Sequence, residues 1–269
     1  MVLSVGARIL PERNGFLEEI FNVRFNIQKC GVDCGDNSAM LSEAFHVSED
    51  DIKKYISEIN YHLKQKSDEL KNRFGSEITD KKILFAGDSL TSDRFSFMNI
   101  LKTMGISCVD CAISGSPSTT HVEGFERNLE LHKPDIVHLL IGTNDLPLMG
   151  KDKRINVVSP CEYEKNIRYI LSAAKERNIA VIVSLLPLID EEAERYETVK
   201  FLTNEQVDIY NCHLLSAAKD FDVIINDINA VGGSLGIKQR FREDGVHFSP
   251  DFHFLIAEEL IRILKKENF

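Results

Sequence analysis

The stretch Lys82-Ile83-Leu84-Phe85-Ala86-Gly87-Asp88-Ser89-Leu90-Thr91 decides how this chain is read. Four apolar residues follow two lysines, too short a run for a helix and suited to a buried strand. Gly-Asp-Ser then breaks the run, and an amphipathic segment begins at Ser92. A strand that hands a serine to the opening of a helix sets that hydroxyl at the carboxyl edge of a sheet, where backbone N–H groups can face a developing negative charge. Such a serine is either a nucleophile or the N-cap of an ordinary strand-to-helix turn. Residues further along must decide.

Downstream the pattern alternates. Apolar residues between 95 and 101 predict a helix ending near Gly105, and residues 106–113 a second strand. A loop at Ser114-Gly115-Ser116-Pro117 precedes a short helix over 122–131. Residues 135–141 form a third strand that stops at Gly142-Thr143-Asn144-Asp145. Residues 146–158 are a loop, a helix starts at Ser159 or Pro160 and runs through 177, and 179–185 is a fourth strand. An exposed charged loop at 190–198, a helix over 204–221, a fifth strand over 223–228 and a loop with Gly232, Gly233 and Gly236 follow. The motif Asp244-Gly245-Val246-His247 leads into a final helix over 250–266. Strands alternating with helices of this length imply βαβ units, a parallel sheet and right-handed crossovers.

The first 80 residues have another texture. Ser48 with Asp51 makes a capping box, and Ile52, Tyr55, Ile56, Ile59, Leu63, Leu70 and Phe74 recur at helical spacing, so a long amphipathic helix runs to about Phe74. A further helix is predicted over 14–26, with a loop around 31–35. This extension either packs on the main domain or serves as a lid or dimerisation element; a homo-oligomer through residues 1–80 is the partner reading it allows. The run 40–52 loosely resembles a helix-turn-helix, but its second helix would open with Glu49, Asp50 and Asp51 against phosphates, which argues against DNA. The boundary between the two parts falls at 80/81.

Composition bounds the function classes. Of 269 residues 28% are charged and 43% hydrophobic, which suits a globular protein, and the formal charge of −10 disfavours nucleic-acid and anionic-membrane surfaces. No apolar run is long enough to span a bilayer and the amino terminus makes a poor secretory signal, so a cytoplasmic location is expected. The six cysteines read as reduced thiols. Cys108 and Cys111 sit three apart in a strand-like segment, on opposite faces, a poor geometry for joint ligation. His121, His132, His138, His213 and His253 lack metal-ligand spacing, and no phosphate-cradling or dinucleotide glycine motif follows the first strand; neither metal nor cofactor is expected.

Parallel strands present their carboxyl ends along one edge, and ligand sites of open α/β sheets lie there, where strand order reverses. Ser89 follows strand one, Gly115 strand two, Asn144 strand three and His247 the last strand. Gly87-Asp88-Ser89-Leu90-Thr91, Ile113-Ser114-Gly115, Gly142-Thr143-Asn144-Asp145 and Asp244-Gly245-Val246-His247 together resemble the four ordered blocks of the GDSL, or SGNH, hydrolases, over roughly residues 81–269. The resemblance implies a flavodoxin-like three-layer α/β/α domain with a five-stranded parallel sheet, and an esterase or acylhydrolase acting on a small-molecule ester. It places the nucleophile on Ser89, the base on His247, its orienting acid on Asp244, and oxyanion donors on the Ser89 N–H, the Gly115 N–H and the Asn144 side chain. Asp110 and Ala112 stand where the family commonly has Asn and Gly, a departure in the second block.

Residue chemistry supports these roles separately. A serine hydroxyl needs an imidazole to take its proton, and imidazole titrates near neutrality, at about 6.5. A carboxylate three residues away can fix its tautomer. At Gly115 a missing Cβ would permit close backbone approach. Asp88 is expected to hold the Ser89 loop through backbone N–H bonds, with Thr143 and Asp145 bracing the Asn144 turn. Two rivals stay open: a non-catalytic carbohydrate- or acyl-binding protein on the same fold, and an acyltransferase. An acetyl ester of a carbohydrate is the first substrate guess.

Overall fold

The computed structural model describes residues 48–149, 152, 155–193 and 202–269. The helix expected over 14–26, the loop at 31–35, Cys30, Cys34 and most of the 40–52 run lie outside the described residues, as do 194–198 of the charged loop.

Helix α1 (Glu49–Phe74) opens the described chain. Ser48 caps it, accepting the Asp51 N–H at 3.1 Å, and Glu49, Asp50 and Asp51 lie at its positive end. Strand β1 (Ile83–Gly87) leads into a single helical turn, α2 (Ser89–Ser92), then α3 (Phe97–Met104), β2 (Cys108–Asp110), α4 (Ser118–His132) and β3 (Ile136–Leu140). A two-residue ribbon, β4 (Leu148–Met149) with β5 (Ile155–Asn156), interrupts the expected loop. Then come α5 (Pro160–Lys175), β6 (Ala180–Ser184), α6 (Asn204–Ala218), β7 (Val223–Asn226), the short helices α7 (Ile228–Val231) and α8 (Ile237–Arg240), and α9 (Pro250–Lys266).

Five strands form one sheet in the order β2-β1-β3-β6-β7, every pairing parallel. Helices α1, α3 and α9 pack together on one side, and α4, α5 and α6 on the other. This is the flavodoxin-like three-layer α/β/α arrangement. Strands β1 and β3 are buried along their whole length, as a parallel sheet covered on both faces requires. The chain leaves β1 outward to β2 and returns across it to β3, so strand order reverses between β1 and β3. Ser89 follows the first of these strands and Asn144 the second.

Several boundaries differ from the sequence reading for local reasons. The second strand ends at Asp110, because its carboxylate accepts the Ala112 N–H at 3.0 Å and turns the chain; Cys111 and Ile113 still donate to β1, at Phe85 O and Gly87 O. The helix expected from Ser92 is split by Asp93, whose side chain takes the Phe95 N–H at 2.7 Å, and restarts at the Ser96 cap. The glycine-rich segment after β7 winds into helical turns. His247 therefore does not follow a strand directly; an isolated bridge between Phe241 and Phe248 holds its segment. Asp190, expected in an exposed loop, is buried, and its N–H donates to Gly245 O at 2.9 Å. Cys108, Cys111, Cys161 and Cys212 are free thiols, and burial pushes that of Cys108 up to about 12. Among the described residues no helix is long and apolar enough to cross a membrane.

Helix α1 belongs to the same core as the sheet. Ile59, Leu63 and Leu70 are buried with residues of α3 and α9. Arg73 grips Glu258 of α9 with two bonds of 2.6 Å, and Lys265 donates to the Phe74 carbonyl at the helix end. Leu70→Ala is expected to destabilise the fold by about 2–5 kcal/mol, since Leu70 is fully enclosed and the cavity cannot fill with water. A lower urea midpoint with an unchanged m-value would record it.

Candidate active site

At the end of β1 there is no room for a side chain on residue 87: a Cβ would lie 2.2 Å from Thr91 Oγ1 and 2.9 Å from Leu140 O. Glycine lets the turn fold tightly against β3. Asp88, fully buried, then caps α2 by accepting the Leu90 N–H at 3.0 Å, the holding role expected for it. Burial pushes its carboxyl up to about 6, against the pull of the Leu90 N–H, His247 and Thr143. Ser89 is the first residue of the turn, where its N–H has no preceding helical carbonyl to bond.

The structure brings Ser89, His247 and Asp244 into one line. Ser89 Oγ is 3.0 Å from His247 Nε2, and His247 Nδ1 is 2.6 Å from Asp244 Oδ2. The other Asp244 oxygen accepts the N–H groups of Val246 and His247, each at 2.9 Å. Burial would raise the pKa of Asp244, but the His247 hydrogen bond and charge, with those two N–H groups, hold it at about 2. An ionised carboxylate can only accept, so in the neutral imidazole Nδ1 carries the proton and Nε2 presents its lone pair to the serine hydroxyl.

Gly115 and Asn144 lie at the same sheet edge without bonding to that line. Gly115 is exposed at φ +71°, and a Cβ there would meet nothing within 4 Å. The left-handed backbone by itself favours glycine at this position. The loop is fastened by Ile113 N–H to Gly87 O at 2.8 Å, and by Ser116, whose hydroxyl donates to Ile113 O at 2.6 Å and lies 3.0 Å from His121 Nε2. Asn144 Nδ2 is buried and has no hydrogen-bond partner. An uncommitted amide donor at the sheet edge that carries Ser89 is a ready place for an anionic oxygen.

Asp145 braces this turn in a way that spacing could not reveal. Its buried carboxylate accepts the Ser118 N–H at 2.9 Å and the Ser118 hydroxyl, which takes a bond from Asn166 at 2.8 Å. Tyr163 holds Ile141 O at 2.9 Å. Burial pushes Asp145 up to about 7, with Ser118 opposing and the Asp88 charge adding to the rise. A carboxyl raised in the fold contributes stability that is complete below the unfolded value, near ~3.9, and is lost as pH climbs through 6 to 7. The buried imidazoles His138 and His253, lowered by burial to about 3 and about 4, act in the opposite sense. The test is therefore a difference: the thermal midpoint of Asp145→Asn should gain on wild type between about pH 5 and pH 8. A constant gap would contradict it.

Comparison with known proteins agrees with this architecture. Residues 85–254 match the sequence model of the GDSL-like lipase/acylhydrolase family, well over half of the chain. A GDSL esterase/lipase of Arabidopsis thaliana is 26% identical over 211 residues, covering 70% of this chain and 87% of that protein. Among solved structures, Axe2, an acetylxylan esterase from Geobacillus stearothermophilus, superposes with a TM-score of 0.56 at 22% identity, over 69% of this chain and 94% of its own. A putative GDSL-like lipase from Parabacteroides merdae gives 0.55 at 20%, over 70% and 98%. At these identities the two structures speak for the fold alone.

Proposed function

Because this chain belongs to the GDSL-like lipase/acylhydrolase family, we propose that it hydrolyses carboxylic esters through an acyl-enzyme on Ser89. The observation that carries this reading is the hydrogen-bonded line from Asp244 through His247 to the Ser89 hydroxyl. Ser89 Oγ attacks the ester carbonyl while His247 Nε2 takes the hydroxyl proton. The Ser89 and Gly115 N–H groups and Asn144 Nδ2 receive the negative oxygen. Collapse expels the alcohol, which leaves with the proton from His247. Water then attacks the acyl carbon, gives its proton to His247, and the acid departs as Ser89 regains its hydrogen.

Asp244 stays charged throughout and steadies the imidazolium. Asp88, Thr143 and Asp145 hold the two loops and take no part in proton transfer. Short acyl groups are the proposed substrates, by analogy with the acetylxylan esterase that shares the fold. A panel of p-nitrophenyl esters of graded acyl length, with and without an added acceptor alcohol, tests both chain length and hydrolysis against transfer. A rate that rises with acyl length would reject the short-chain proposal.

The donor set has its own test. Asn144→Ala should lower kcat by about 10²–10³ with little change in KM, as for loss of one oxyanion donor. A loss under about threefold would remove Asn144 from that role.

A further inference from the structure

An ion pair with a buried carboxylate lies outside the proposed catalytic line and is tied to two of its members, Ser89 and His247. Asp93 closes the nucleophile turn: its N–H donates to Ser89 O at 3.1 Å. Its carboxylate, only 2% exposed, takes the Phe95 N–H on one oxygen and an Arg242 guanidinium nitrogen on the other. Arg242 in turn donates its backbone N–H to His247 O at 2.7 Å and accepts the Gly245 N–H at 2.9 Å. A ring of bonds closes in this way: Ser89 Oγ to His247, His247 O to Arg242, Arg242 to Asp93, Asp93 N–H to Ser89.

We infer that Asp93 and Arg242 are a positioning pair, which sets the separation between the turn that carries Ser89 and the turn that carries His247. The inference rests on the reading of those two residues as nucleophile and base. Neither Asp93 nor Arg242 bonds the serine hydroxyl or the imidazole ring, so both act through the backbone. The need is physical. Ser89 and His247 are 158 positions apart, and β7 ends well before the histidine turn. The Phe241–Phe248 bridge braces that turn internally but does not join it to β1. The carboxylate cannot turn to follow the guanidinium, because its other oxygen is held by the Phe95 N–H, so the contact fixes where Arg242 sits. Burial pushes the Asp93 carboxyl up, but Arg242, His253 and the Phe95 N–H hold it below the usual range, so the pair is ionic.

The test compares Arg242→Lys, Arg242→Ala, Asp93→Asn and the double variant Asp93→Asn/Arg242→Gln with wild type. For each, kcat, KM, the rate of Ser89 labelling by a fluorophosphonate and the thermal midpoint are measured. Misplacement by an ångström costs on the order of 10²-fold, so Arg242→Ala and Asp93→Asn should lose about 10–100-fold in kcat and in labelling rate, with KM nearly unchanged. Arg242→Lys should fall between, since it keeps the charge but shortens the side chain that reaches Asp93. The neutral double variant leaves no uncompensated buried charge, so its loss should be smaller than the product of the single losses, and the coupling appears in kcat and not only in stability.

Single variants with lowered midpoints but wild-type kcat and labelling rate would overturn the inference. If Arg242→Ala does not fold, Arg242→Lys and the double variant decide the matter alone. Failure of the parent reading looks different: wild type itself would escape labelling at Ser89, and the positioning role would fall with it.

Discussion

Ser89→Ala should reduce ester hydrolysis by about 10⁴–10⁶-fold and abolish fluorophosphonate labelling, while the thermal midpoint stays close to wild type. The size follows from the geometry. His247 Nε2 lies 3.0 Å from the Ser89 oxygen, placed to take its proton, and the line holds no second hydroxyl to be acylated. Alanine removes the nucleophile and leaves the donors of the proposed oxyanion hole in place, so a residual rate above uncatalysed hydrolysis is expected from them. Folding should be spared, because Asp88 and not Ser89 caps the turn. Mass spectrometry of the labelled wild type should place the adduct on the peptide that contains Ser89. Retention of more than about a hundredth of the activity would remove Ser89 from the mechanism.

Asp244→Asn should be nearly as severe, about 10⁴-fold in kcat, although it changes one heavy atom. The argument turns on which end of the new amide faces the histidine. Asp244 Oδ1 is engaged by two backbone N–H groups, Val246 and His247, so the amide oxygen of asparagine must take that place. Its NH₂ then occupies the Oδ2 position, 2.6 Å from Nδ1, and can only donate. Nδ1 is forced to accept, the ring proton moves to Nε2, and the histidine presents a hydrogen to Ser89 where a lone pair is needed. The Ser89→Ala/Asp244→Asn double variant should be no slower than Ser89→Ala, because the two act as a unit. An Asp244→Asn enzyme within tenfold of wild type would sink the tautomer argument.

The parts of this molecule that could be read from sequence are those made by neighbours in the chain. Ile83 to Gly87 is a strand because its apolar run is short and ends in Gly-Asp-Ser, and Asp244 meets His247 because an Asx turn closes three residues. Helix α9 keeps the predicted bounds, with Pro250 at its first turn and Ser249 as its cap. What escaped were bonds between distant positions. Asp93 and Arg242 are 149 residues apart, Ser118 and Asp145 27, and neither spacing carries a signal. The split after α2 was hidden because Asp93-Arg94-Phe95 contains no glycine or proline; a side-chain bond to the backbone breaks the helix there. The short second strand was hidden for the same reason at Asp110.

The clasp between α1 and α9 has a consequence for the order in which the protein comes into being. A chain emerging from the ribosome at about 5–20 residues per second exposes α1 before α3 and α9, and α3 can cover part of its apolar stripe early. Glu258, which receives Arg73, is made 185 residues after it, and His247, which faces Ser89, 158 residues after it. A nascent polypeptide stalled before them would hold Ser89 without its proposed base and α1 without its anchor on α9. On the proposed mechanism, acylating power and the clasp between α1 and α9 therefore both wait for the segment that follows β7.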